Sequence, residues 1–120
     1  MCIEYKEASD AVPASFYETV VSFSNTDGGV VLLGVADDKT VTGINKTMTV
    51  KLQKDIVTAL NTRECINPPV YVQPFIIEHP DGLIMVIQVP SSSQLHDHRG
   101  RVYLREFETD LDITNDQKKI

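Results

Sequence analysis

Three neighbouring features constrain the fold more than any other part of the sequence. Phe16, Val20 and Phe23 recur at i, i+4 and i+7, the spacing that places side chains on one face of an amphipathic helix. The pair Gly28-Gly29 follows, and glycine supplies the positive φ that a helix end or a tight turn requires. The apolar run 30–35 then predicts a strand that is covered on both faces. A helix, a glycine turn and a buried strand in this order predict a domain that combines helices with a sheet.

The remaining elements follow from the same kind of patterning. Pro13 suits the first turn of the first helix, which should end near Asn25, and Thr49 is a plausible cap for a second helix that ends near Arg63. After Glu108 the sequence is polar and without pattern, so we expect a short helix or a frayed tail. Alternating or β-branched stretches predict strands at 3–6, 41–44, 70–79, 83–89 and 101–107. We therefore expect an α+β fold with a mixed, mainly antiparallel sheet of about five to six strands and two main helices.

The composition is typical of one globular domain. Hydrophobic residues make up 42% and charged residues 23% of the 120 residues, so residues 1–120 should share one core. No apolar run approaches the roughly 20 residues of a membrane span, and the first residues lack a basic leader followed by an apolar stretch. We therefore expect no membrane association and a cytoplasmic location. Cys2 and Cys65 form neither a disulfide framework nor a CxxC pair and are expected to be reduced thiols.

The charge balance limits how the chain could meet nucleic acid. Eleven Lys and Arg residues against 17 Asp and Glu residues give a net charge of −6. Non-specific affinity for nucleic acid comes largely from Lys and Arg that displace counterions from phosphates, so an acidic chain lacks it. A nucleic-acid role therefore requires a local basic patch, a metal ion, a groove between copies or another part of a longer protein.

Gly28-Gly29 could be taken for a phosphate-binding loop. Such loops run from a strand through glycines into a helix, whereas these glycines end a helix and open a strand. A structural role, as a helix end and a tight strand entry, is the favoured interpretation.

Glu4 and Asp37 are the best candidates for paired carboxylates. Glu4 lies in the first predicted strand, and Asp37, with Asp38 beside it, follows the central strand, so neighbouring strands could bring them to one cation. Magnesium and manganese prefer carboxylate oxygens, and such a site could assist phosphodiester cleavage. The alternative is a set of solvated surface acids.

Two other groups of residues are weaker candidates. His96-Asp97-His98 could form a metal pair, because alternate residues of an extended segment share a face, but an exposed loop is favoured. Ser91–Ser93 has no evident partner for acyl transfer. The cationic cluster could contact phosphate, with ion pairing to Glu106, Glu108 or Asp110 as the alternative; its members are Arg99, Arg101 and Arg105.

The order of the motifs resembles the AlbA-like domain of the Schlafen type, which reads E-[FY]-K, a helix ending in A-F-A-N-T-x-G-G, a strand L-I-G-V-D-D, and V-x-G. The resemblance covers nearly the whole chain and includes the later Pro68-Pro69 and the strand before Pro90. The matching segments of this chain are 4–6, Pro13, 21–29, 32–38, 41–44, 68–69, 86–90 and 102–105. Within these segments we assign Asn25, Gly28, Gly29 and Gly34 as structural motif residues.

The resemblance implies a compact α+β domain associated with nucleic acid and found at the N-terminus of bacterial transcriptional regulators or helicase-related proteins. It also implies a metal-assisted RNA-cleaving site in the Schlafen branch, with two glutamates in the first segment and an aspartate in the G-V-D-D turn. Glu4 matches the second glutamate and Asp37 the aspartate. The first glutamate would precede Met1, and Ala36 replaces the first aspartate of the turn, so we expect no enzymatic activity from this chain.

The leading hypothesis is a DNA- or RNA-binding regulatory module that forms the N-terminal part of a longer bacterial protein. The candidate nucleic-acid-binding residues are Lys6, Arg99, Arg101 and Arg105. The first alternative is a metal-dependent endoribonuclease that uses Glu4 and Asp37 with magnesium or manganese. The second is an oligomerisation or protein-partner domain, with a homodimer as its simplest form.

Overall fold

The computed structural model describes residues 2–115, and the predicted α+β class is confirmed. Met1 and residues 116–120 lie outside the described residues. The described elements are β1 (Cys2–Lys6), α1 (Ser15–Ser24), β2 (Gly29–Leu33), a 3-10 turn (Lys46–Met48), α2 (Thr49–Leu60), β3 (Ile66–Asn67), β4 (Phe75–His79), β5 (Gly82–Val89), β6 (Asp97–His98), β7 (Tyr103–Glu106) and β8 (Thr109–Asp112).

The main sheet has four strands in the order β1-β2-β5-β4. The β1 and β2 strands run parallel, whereas β5 runs antiparallel to both β2 and β4. The β3 and β6 strands form a separate antiparallel pair, and β7 and β8 form another. The sheet is therefore mixed and mainly antiparallel, as predicted, with the strands divided among one sheet and two short ladders.

Both helices pack on one face of this sheet. Val31 and Leu33 of β2 are fully buried in the same core as Phe16 of α1 and Ile56 of α2. Side chains alternate along a strand, so the other face carries the intervening residues. That face remains partly open, with exposed apolar side chains on the edge strands at Ile3, Phe75 and Ile77. The expectation that β2 is fully covered on both faces is wrong, because Gly29, Val31 and Leu33 are buried whereas Val30 and Leu32 on the other face are only partly buried.

The predicted return strand at 41–44 does not form. Val41 makes a single bridge to Val35. The N–H groups of Thr42 and Gly43 donate instead to the carbonyl of Gly34, at 2.9 and 3.0 Å. Gly34 has a φ of +95°, and a Cβ added there would lie 2.8 Å from the carbonyl oxygen of Leu83. Segment 41–44 therefore packs against Gly34, a position where any other residue would be strained.

Several element boundaries differ from the prediction. The α2 helix begins at Thr49 directly after a 3-10 turn, whose Asn45 side chain accepts the N–H of Thr47 at 3.1 Å, and it ends at Leu60. The β4 strand begins only at Phe75, because Pro74 has no N–H for a ladder. The helix or frayed tail expected after Glu108 is the strand β8, in register with β7.

Asn25 ties the end of α1 to the later strands. Its Nδ2 donates to the carbonyls of His96 and Tyr103, at 2.9 and 3.0 Å, and its Oδ1 accepts the N–H of His96 at 2.7 Å. Gly29 enters β2 so close to the core that an added Cβ would lie 2.6 Å from the Phe23 ring. These contacts give the Asn-Thr-Asp-Gly-Gly turn a structural role. Within residues 2–115, neither helix is both long and apolar enough to cross a membrane.

Candidate functional site

Glu4 and Asp37 come together at one edge of the sheet. The β1 and β2 strands are parallel, so their carboxyl ends lie side by side, and the N–H of Gly34 donates to the carbonyl of Lys6 at 2.8 Å. The chain then turns, and the exposed Asp37 lies on that turn. Two adjacent grooves, of about 260 and 370 Å³, are each lined by Glu4, Tyr5 and Asp37. The fold thus places both predicted acids around the same open space.

Asp38 has a different role from its neighbour. Its Oδ1 accepts the N–H of Thr40 at 2.9 Å. Hydrogen bonds from Thr40 lower the pKa of the Asp38 carboxyl below its ordinary value, because they stabilise the ionised form. Asp38 therefore closes the turn, and only Asp37 of the two lines the grooves.

Arg105 contacts Glu4 from the interior of the protein. Its guanidinium pairs with the Glu4 carboxylate and, through Nη1, with Oδ1 of Asp110 at 2.6 Å. The Arg105 side chain is only 4% exposed and lies over the Phe23 ring, with 5.1 Å to the centroid. Burial by itself lowers the pKa of Arg105, but hydrogen bonds and charge attraction from Asp110 and Glu4 outweigh it and raise the pKa. Arg105 is therefore a permanently charged group inside the fold.

Asp110 is anchored by the first helix. Its Oδ2 accepts the hydroxyl of Thr19 at 2.7 Å, and its Oδ1 accepts the hydroxyl of Ser22 at 2.6 Å. The ion-paired network Glu4-Arg105-Asp110 thus joins β1, α1 and the β7–β8 hairpin. Of the two interpretations that the sequence left open for Arg105, ion pairing to Asp110 is the one that the structure shows.

Lys6 faces Glu4 from the other side. Its Nζ lies 4.0 Å from a Glu4 oxygen and donates to the hydroxyl of Ser15 at 3.0 Å, and its side chain is 11% exposed. The Glu4 carboxylate therefore lies between two cationic groups. Among residues 2–115, no three His, Cys, Asp or Glu side chains are arranged to hold a metal ion.

The other two cationic candidates lie on a separate exposed turn. His98 and Arg101 exchange backbone hydrogen bonds of 2.8 and 2.9 Å, with Arg99 and Gly100 between them at φ +52° and +83°. Arg101 pairs with Asp112 at 2.7 Å but stays half exposed. Arg99 is exposed, and no carboxylate within the described part of the chain forms an ion pair with it. The four predicted nucleic-acid contacts thus divide into a buried pair and an exposed pair.

The histidines are held by backbone groups. His96 is buried, its Nδ1 lies 2.6 Å from the carbonyl oxygen of Pro68, and its Nε2 lies 2.8 Å from the hydroxyl oxygen of Ser92. Ser92 also accepts the N–H of Gln94, which fixes the serine loop. The Nδ1 of His98 lies 2.8 Å from the carbonyl of Cys65, and burial raises the pKa of the Cys65 thiol. These contacts support a structural role for both histidines.

Comparison with known proteins places the chain in a family. The family model described as Schlafen, AlbA_2 matches residues 2–113. The chain belongs to the Schlafen AlbA_2 family. No curated protein matches this AlbA_2 domain.

Two solved structures resemble this AlbA_2 domain. The first is the N-terminal domain of a RecG-related protein from Nitrosomonas europaea, whose name refers to ATP-dependent DNA helicases. It is 27% identical with a TM-score of 0.57, over 74% of this chain and 62% of that one. The second is the DIP2311 protein from Corynebacterium diphtheriae, 16% identical with a TM-score of 0.65, over 89% of this chain and 21% of that one. The second likeness shows the fold alone, and the AlbA_2 domain spans less than two thirds of either relative.

Sequence reasoning missed several contacts that hold this site together. The hydroxyls of Thr19 and Ser22 donate to Asp110, which lies about ninety positions later in the sequence. The carbonyl of Cys65 accepts the N–H of Arg99 at 3.1 Å, which holds the basic turn against the segment after α2. No local pattern signals any of these contacts, because each depends on how distant segments pack.

The Arg105 network generates a stability prediction. Arg105→Met should lower the free energy of unfolding by about 3–5 kcal/mol, because it leaves two partly buried carboxylates without their cation. Arg101→Met is the matched control, since it removes a half-exposed ion pair and should cost at most about 1 kcal/mol. Urea denaturation of the two variants measures both values. Equal losses in the two variants would contradict the role assigned to Arg105.

Proposed function

We propose that this AlbA_2 domain is a nucleic-acid-binding module that contacts DNA or RNA through the basic turn formed by Arg99, Gly100 and Arg101. The observation that carries the proposal is the exposed guanidinium of Arg99, which has no carboxylate partner among the described residues of an otherwise acidic chain. The family membership and the helicase-related name of one structural relative support the same class of ligand.

The geometry of the turn suits phosphate recognition. Arginine guanidinium groups bind phosphate oxygens through paired hydrogen bonds, and such contacts position a protein on a nucleic-acid backbone. Arg99 is held by its backbone, because its N–H donates to the carbonyl of Cys65 at 3.1 Å. The Gly100 N–H also donates to Oδ1 of Asp97 at 2.9 Å, which fixes the turn. Lys6 and Arg105 act in this proposal as structural residues.

Fluorescence polarisation with labelled DNA and RNA oligonucleotides at low salt tests the proposal. Arg99→Gln should weaken binding to all sequences alike and reduce the salt dependence by about one phosphate contact. Lys54→Gln, at an exposed position on α2, is the matched control and should bind like the wild type. Absence of wild-type binding to either nucleic acid would reject the proposal for this chain.

A role within a cytoplasmic bacterial transcriptional regulator is the finer form of this proposal. The family membership supports this role. A regulator of this kind would bind a defined target sequence. The homodimer also stays a prediction; a sizing column would decide it, and elution as a monomer would count against it.

A metal-dependent ribonuclease is the second candidate. One observation favours it, namely that Glu4 and Asp37 line the same two grooves. The donor set fits a divalent ion poorly, since Arg105 and Lys6 already neutralise Glu4. If the chain is a metal-dependent ribonuclease, it should cleave tRNA in the presence of manganese. This cleavage should disappear in Asp37→Asn and persist in Asp38→Asn. Cleavage that is unchanged in Asp37→Asn would remove this candidate.

A further inference from the structure

The tip of the β7–β8 hairpin presents an aromatic ring to solvent. Phe107 and Glu108 form a two-residue turn between the paired residues Glu106 and Thr109. The Phe107 side chain is 91% exposed, the largest value among the exposed large hydrophobic residues of the described chain. It therefore contributes almost nothing to the core.

The backbone at this position disfavours phenylalanine. Phe107 has a φ of +56°, in the left-handed region that glycine and asparagine occupy most readily. A single exposed phenylalanine is ordinary on a protein surface. Phe107 combines an exposed side chain with a strained backbone. Neither feature stabilises the fold, so the fold itself does not explain a phenylalanine at this position.

The tip lies at the acidic groove. Glu108 lines the 370 Å³ groove together with Lys39, Glu4 and Asp37. Glu106 and Glu108 are both exposed, so two carboxylates flank the ring in the sequence. Phosphates are repelled by these carboxylates, whereas the amino group of a nucleobase is a suitable hydrogen-bond donor to them.

We propose that Phe107 stacks on an unpaired nucleobase and that the neighbouring glutamates accept hydrogen bonds from the amino group of that base. This inference rests on the proposed nucleic-acid binding and defines its ligand as single-stranded or looped. Stacking on an aromatic ring tolerates every base, because each base has a π face. The carboxylates add a preference, since adenine, cytosine and guanine carry an exocyclic amino group and thymine and uracil do not.

Substitutions at Phe107 separate stacking from folding. Phe107→Gly should raise the urea midpoint, because glycine accepts the positive φ without strain. The same variant should lose affinity for a single-stranded oligonucleotide by about tenfold, which is typical of one stacked base. Phe107→Tyr keeps a ring and should bind like the wild type, whereas Phe107→Leu keeps apolar bulk without a ring and should bind like Phe107→Gly.

Two further measurements identify the base. Single-stranded oligonucleotides with one 2-aminopurine should show quenching on binding the wild type and less quenching on binding Phe107→Gly. Wild-type protein should prefer oligo-dC to oligo-dT, and the double substitution Glu106→Gln with Glu108→Gln should reduce that preference.

The outcomes distinguish this inference from the proposed function. If the wild type binds no nucleic acid, the proposed function fails and this inference fails with it. If the wild type binds but Phe107→Gly or Phe107→Leu binds equally well, only the stacking inference is overturned, and the tip would be left to contact a protein surface instead.

Discussion

The charged contact between Glu4, Arg105 and Asp110 joins the first strand, the first helix and the last hairpin of the fold. Arg105 lies on β7, Glu4 on the parallel edge strand β1, and Asp110 on β8, where hydroxyls of α1 hold it. The β7–β8 pair is not hydrogen-bonded to the main sheet, so it depends on α1 and on this network for its position. A buried guanidinium requires compensating charge, and each of the two carboxylates supplies part of it.

The same network determines what the surface offers to a ligand. It withdraws Arg105 from solvent and pairs Glu4, whereas Asp37 and Glu108 remain exposed at the groove. The exposed Arg99 and Arg101 lie on a separate turn. The nucleic-acid proposal therefore depends on the local pair Arg99 and Arg101, because a chain of net charge −6 has no general attraction to phosphates.

Much of the fold could be predicted because its signals are local. The stripe of Phe16, Val20 and Phe23 and the glycines after it specify α1 and the entry to β2. The strand β8 was missed because Thr109–Asp112 has no apolar alternation, and its pairing depends on the turn at Phe107.

The site was predictable only in part, because several of its contacts join residues that are distant in the sequence. Glu4 and Asp37 could be placed together, because parallel strands bring their carboxyl ends to one edge. Arg105 was expected to contact phosphate or to pair with Glu106, Glu108 or Asp110, and its contact with Asp110 fits the second possibility. Its contact with Glu4, 101 positions away, depends on the packing of the hairpin against α1 and leaves no local signal in the sequence.

A double-mutant cycle between Glu4→Gln and Arg105→Met tests the central role of this network most directly. The free energies of unfolding of the two single variants and the double variant, measured by urea denaturation, give the coupling energy. Direct contact of the two side chains predicts a coupling above about 1 kcal/mol, whereas distant independent sites add to within about 0.5 kcal/mol. A coupling of that larger size would support Arg105 as the link between β1 and the hairpin; additive effects would contradict it.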